Sequence, residues 1–141
     1  MLDRLIGRNQ RVNYPAHIAN FLLYASGRYA GLLRAAFRMV DTLGTITPED
    51  ANSDRLVEKL ASRPPVRMEC ETLWKSLTPP EQQVLRAVSG LEAPASTNES
   101  EQAMTMLVQK RLVHVDRSQQ SLRIEPPLFR VFVATNPPAN P

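Results

Sequence analysis

Four basic residues, Lys110, Arg111, Arg117 and Arg123, follow one another within a short stretch and are the side chains of this sequence placed to meet phosphate. Cationic donors of this kind form charge-assisted hydrogen bonds to phosphate oxygens. Residues able to do covalent or acid–base chemistry are scattered instead. His17 and His114 stand isolated from each other and from acids placed to orient them. Cys70 is the single cysteine, so it has no internal disulfide partner, no second ligand at zinc spacing and no cationic neighbour to make it a thiolate. It reads as a half-buried small residue. No two carboxylates can be assigned as an acid and base pair. Trp74, with Leu73 and Leu77 at helical spacing, reads as core rather than as a stacking platform. Taken together, these residues predict a chain that does not catalyse a reaction by itself.

The elements that would position these residues follow from periodicity. Pro15 opens a helix over residues 15–25 with Ile18, Phe21, Leu22 and Ala25 on one face. Ser26-Gly27 breaks it, and a second helix follows with Leu32, Leu33, Ala36, Phe37 and Val40 inward, so the two should form a hairpin. Thr47-Pro48-Glu49-Asp50 predicts the start of a third helix, carrying Leu56, Val57 and Leu60 and ended by Pro64-Pro65. A short helix over 69–77 is expected next. Thr78-Pro79-Pro80-Glu81 has the form of a capping box and opens a helix that stops at Gly90. Another helix is expected over 99–111, with Ala103, Met104, Leu107 and Val108 inward. The period then changes to two. Residues 112–115 and 122–124 predict a hairpin with its turn at 116–120, and Pro127 opens a last helix with Leu128, Phe129 and Phe132 inward. The proline-rich end, Asn136 to Pro141, is expected to bury nothing and stay disordered.

The expected fold is mainly α with a small β-hairpin wing: a helical lid-like segment over 1–65, a winged-helix domain over 66–134 and a disordered tail over 135–141. A 43% hydrophobic content suffices for a buried core. No run of about 18 apolar residues and no signal-peptide h-region is present, so a soluble protein of the reducing cytoplasm is expected, with no membrane partner. The net charge of +3 arises before residue 66, where nine Lys/Arg face six Asp/Glu; residues 66–141 carry eight of each. The half with the DNA-binding form of fold is therefore neutral.

The stretches Leu73-Trp74-Lys75-Ser76-Leu77-Thr78-Pro79-Pro80-Glu81-Gln82-Gln83-Val84-Leu85, Leu107-Val108-Gln109-Lys110-Arg111-Leu112-Val113 and Pro127-Leu128-Phe129-Arg130-Val131-Phe132-Val133 resemble the winged-helix domain that ends many bacterial STAND-type signalling ATPases. These are AAA-related, signal-transducing NTPases. Upstream, Gly27-Arg28-Tyr29-Ala30-Gly31-Leu32-Leu33 is similar to the Gly-Gly-His-Pro-x-Leu-Leu motif of that family's helical lid, with Tyr29-Ala30 in place of His-Pro. Arg111 likewise replaces a usual glycine. The resemblance implies that Arg28 and Tyr29 approach a bound nucleotide, with Arg28 reaching a γ-phosphate on a neighbouring domain.

The family's phosphate-cradling Gly-x-x-x-x-Gly-Lys-Ser/Thr loop and its magnesium-binding acids are missing from this sequence. No cofactor is therefore expected in this chain, and ATP with magnesium would be held only by a nucleotide-binding domain elsewhere in a longer protein or in a partner. The implied function is a non-catalytic regulatory module that docks on such a domain or on another partner protein. The competing expectation is a small winged-helix transcriptional regulator. Its third helix would enter the DNA major groove while Lys110, Arg111, Arg117 and Arg123 meet phosphates, although Glu99 and Glu101 at the entering end repel them. A third is an inert remnant that folds poorly alone.

Overall fold

A computed structural model describes residues 15–27 and 29–140. Among these, helix α1 (Ala16–Ser26) turns Phe21, Leu22 and Ala25 inward and stops where Gly27 adopts φ +59°. Helix α2 (Ala30–Met39) buries Leu32, Leu33, Ala35 and Ala36, and a short 3-10 turn, Val40–Leu43, finishes it. The side-chain spacing of 3.6 residues thus gives both helices one apolar face, as the hairpin expectation required. His17 is structural here: its Nε2 donates to the Ile46 carbonyl at 2.7 Å, tying α1 to the loop after α2.

Two helix starts differ from expectation, each for a local reason. Thr47-Pro48-Glu49-Asp50 forms only one 3-10 turn, Pro48–Asp50, in which the Asp50 carboxylate accepts both the Thr47 amide (2.9 Å) and its hydroxyl (3.0 Å). Helix α3 (Asp54–Ala61) begins afresh with Ser53 as its cap and buries Leu56, Val57 and Leu60. Pro64-Pro65 then opens a helix instead of merely ending one: α4 runs Pro64–Lys75, five residues longer at its start than expected. First-turn N–H groups have no partner within a helix, so two prolines there lose nothing.

Thr78 and Glu81 form the expected capping box at the head of α5 (Pro79–Val88). Gly90, at φ +79°, closes α5 by bonding back to Ala87 while Leu91 bonds back to Arg86. Helix α6 (Asn98–Gln109) ends in the same six-to-one and five-to-two pattern, Leu112 to Leu107 and Arg111 to Val108, with Arg111 itself at φ +63°. This left-handed position favours glycine. Arg111→Gly is expected to raise stability by about 0.5–1 kcal/mol, read as a higher urea midpoint at unchanged slope.

Strands β1 (Val113–Asp116) and β2 (Ser121–Ile124) form an antiparallel two-stranded sheet with Val113 opposite Ile124 and His114 opposite Arg123. Helix α7 (Pro127–Ala134) returns to pack among α1, α3 and α4. Residues on both sides of position 65 therefore share one buried cluster, from Phe21 and Val57 through Trp74 and Leu107 to Phe129 and Val133. The fold is mainly helical with a small hairpin.

The C-terminal tail departs from the disordered expectation. Pro137 is buried, and the Pro138 carbonyl accepts from Trp74 Nε1 at 2.9 Å. Proline lacks a donor but keeps a carbonyl acceptor, so the Pro137-Pro138 stretch, which offers no N–H group, still docks where donors face it.

Candidate functional site

The turn between α1 and α2 and the end of α6 meet in space. Gly27 sits against Pro126 so tightly that a Cβ on it would lie 3.0 Å from the proline's Cβ, which fixes the turn at the junction of β2 and α7. Two residues on, the Tyr29 hydroxyl donates to the Lys110 carbonyl at 2.6 Å, a contact spanning 81 positions of sequence. That carbonyl belongs to the residue that follows α6 and has no partner within the helix, so Tyr29 caps the helix as well as joining the two segments. Burial raises the Tyr29 pKa above its ordinary value, so the phenol stays protonated and able to donate.

Between these elements lies a groove of about 820 Å³, lined by Gly27, Tyr29, Val108, Lys110, Arg111, Val113, His114, Val115, Arg117, Glu125 and Pro126. Tyr29 thus shares one concavity with three of the four phosphate candidates. Arg28 lies outside the described residues.

The charges in this groove are not equally free. Lys110 Nζ is paired to Glu81 Oε2 at 2.7 Å, with the Glu81 side chain only 4% exposed. Burial pulls the Glu81 pKa up, but hydrogen bonds from Lys110 and from Thr78 outweigh it and hold the carboxyl below its ordinary value. Arg123 Nε is paired to Glu125 Oε1 at 2.5 Å. Arg111 and Arg117 are exposed and have no ion pair among the described residues. Arg117 stands on the hairpin turn, which Asp116 shapes by accepting the Ser118 hydroxyl (2.7 Å) and the amides of Ser118 (3.0 Å) and Gln119 (3.2 Å). Those bonds, the Ser118 hydroxyl foremost, lower the Asp116 pKa and keep the turn's carboxylate charged.

Val108 and Val115 are exposed on the groove's walls, at 41% and 43%. The surface is therefore an apolar trough with two free arginines. Such a mixture suits a protein partner with an apolar ridge and acidic flank. Neither the valines nor the Tyr29–Lys110 contact carries a local sequence signal. The valines resemble ordinary core positions, and the contact joins residues that no periodicity relates.

The other candidate groups take structural places. Cys70 is buried, and burial, with a smaller push from Glu69, raises its thiol to about 12, far from a reactive thiolate. Trp74 is core, as its helical spacing predicts. His114 is exposed at the groove opposite Arg123. Among the described residues no group of three or more His, Cys, Asp or Glu is placed to hold a metal ion, and no helix is long and apolar enough to cross a membrane. No protein-family model, curated protein or solved structure matches the chain.

Proposed function

We propose that the chain is a non-catalytic regulatory module that docks on a nucleotide-binding domain, in the manner of the lid and winged-helix region of a STAND-type ATPase. One observation carries the reading: the Tyr29 hydroxyl bonded to the Lys110 carbonyl joins the lid-like turn and the end of the third helix of the winged-helix order into one groove. Under this reading Val108 and Val115 receive an apolar ridge of the nucleotide-binding domain, and Arg111 and Arg117 meet its acidic rim. Packing of the two segments as one body lets a nucleotide-driven shift of that domain move both together, a two-state element biased by nucleotide.

The DNA-binding alternative has weaker support. With Lys110 and Arg123 neutralised by Glu81 and Glu125, two phosphate-binding arginines remain. Two contacts give a salt slope of about −1.8, only a roughly tenfold loss of affinity between 50 and 200 mM salt. Glu99 and Glu101 lie in the first turn of α6, at the end that would enter the groove.

Mixing the purified chain with the nucleotide-binding core of a STAND-type ATPase tests the proposal by sedimentation in ADP and in ATP. The expected result is a nucleotide-dependent complex, weakened at least tenfold by Arg111→Glu with Arg117→Glu, and no turnover or micromolar nucleotide binding by the chain alone. ATP hydrolysis by the isolated chain would falsify the module reading. A complex insensitive to both substitutions would remove the groove from it.

A further inference from the structure

Residues 136–140 run across α4 and α5, on donors and acceptors that the docking groove does not use. Trp74 Nε1 donates to the Pro138 carbonyl at 2.9 Å, and Arg86 Nη2 donates to the Pro137 carbonyl. The Asn140 amide donates to Gln82 Oε1 at 2.8 Å, and its side chain donates to the carbonyls of Leu77 (2.8 Å) and Lys75 (3.2 Å). Gln82 and Arg86 are also held by partners on the helices themselves. Trp74 and Gln82 are 1% and 0% exposed, and Gln82 Nε2 is anchored on the Trp74 carbonyl at 2.9 Å, which leaves Oε1 facing the tail. Arg86 lies over the Trp74 ring, its guanidinium carbon 5.7 Å from the centroid.

This pattern matches the chemistry of an extended proline segment. Two consecutive prolines hold the backbone extended, offer no N–H and present carbonyls, so donors on an aromatic floor recognise them at low entropic cost. Gln82 supplies an acceptor where Asn140 brings an N–H back. The tail fills the seat incompletely. Arg86 Nε is buried without a hydrogen-bond partner, and a hollow of about 260 Å³ stays open between Arg67, Glu71, Trp74, Phe132 and the tail.

We propose that the Trp74–Gln82–Arg86 groove is a binding site for an extended Pro-Pro-x-Asn segment of a partner protein, and that the chain's own tail is its resident competitor. A partner is favoured over a second copy by the tether. The attached tail acts at an effective concentration on the order of millimolar, so an identical tail in trans cannot displace it at ordinary protein concentrations. A segment that also fills the hollow and accepts from Arg86 Nε can. The site is separate from the docking groove, and the inference stands or falls without it.

Trp74 is the only tryptophan, so its emission reports the groove directly. The full-length chain and a full-length variant with Pro137→Gly, Pro138→Gly and Asn140→Gly are each titrated with the peptide Thr-Asn-Pro-Pro-Ala-Asn-Pro, and with a control peptide carrying glycine at the same three places. The released variant is expected to keep its helical circular dichroism, to emit at longer wavelength, and to return saturably toward the parent emission with the proline peptide only. The parent chain should need at least about tenfold more peptide, because its tail competes from the tether. Should the triple variant lose its fold, Asn140→Ala removes only the side-chain bonds to the Leu77 and Lys75 carbonyls and should raise peptide sensitivity by itself. A folded variant silent up to about 5 mM peptide, or equally responsive to both peptides, overturns the site. Equal affinity of parent and variant overturns the competitor role. Concentration-dependent dimerisation of the parent, lost in the variant, would place a second copy's tail in the groove and overturn the partner assignment.

Discussion

Trp74→Ala is expected to cost about 3–5 kcal/mol of folding free energy, a large share of the 5–15 kcal/mol typical of a domain. Thermal melts followed by circular dichroism should show a fall of roughly 10–20 °C in Tm. The size follows from what the indole touches. Its ring lies 6.5 Å from Phe129 and 6.5 Å from Phe132, at tilted and edge-on angles, and those two phenylalanines stack at 6.1 Å. Removing the indole opens a cavity where α4 meets α7, strips the aromatic partner from Arg86 and leaves the Pro138 carbonyl without its donor. Trp74→Phe separates these effects. It keeps most of the packing and loses the N–H, so a cost of about 1–2 kcal/mol is expected. Equal costs for the two substitutions would mean that the hydrogen bond to the tail, rather than core packing, dominates.

Trp74 also shows what a sequence makes legible. Its burial could be read from Leu73 and Leu77 beside it, because helical spacing states which side chains share a face. The Thr78–Glu81 box, the stop at Gly90 and the change of period after Arg111 were legible for the same reason: each is a bond or a bend made within a few residues. Pro64-Pro65 was ambiguous by physics, since proline both ends a preceding helix and suits the first turn of the next. Proline content alone does not decide whether the tail is buried. What decides its docking is a set of donors on Trp74 and Arg86, far away in sequence. The candidate groove was half legible. Arg111 and Arg117 were visible as cations, but the neutralisation of Lys110 by Glu81 and the joining of Tyr29 to Lys110 depend on tertiary approach that no local pattern encodes.

Lys110→Met is expected to lower stability by about 2 kcal/mol at neutral pH, below the roughly 3–5 kcal/mol of a fully buried pair because the Lys110 side chain is 37% exposed. The loss should depend on pH with a definite sign. In the parent chain the folded Glu81 pKa lies below its unfolded value, so the stability it contributes is present above the ordinary carboxylate range and is lost as pH falls through the folded pKa. Without the cation, burial governs, the folded pKa rises, and charging Glu81 opposes folding. The difference between parent and variant should therefore grow as pH rises through about 4–6 and shrink below about pH 4. Adding Glu81→Gln to Lys110→Met should recover much of the loss at neutral pH, since an amide still accepts from the Thr78 amide and carries no charge to strand. A cost for Lys110→Met that stays constant from pH 3 to pH 7 would show that its methylene packing, and not the ion pair, holds α6 to α5. In the expected case the same pair fixes the end of α6 on which the Lys110 carbonyl receives Tyr29. Acidification should then loosen the groove beside Tyr29 through a carboxylate that lies outside it.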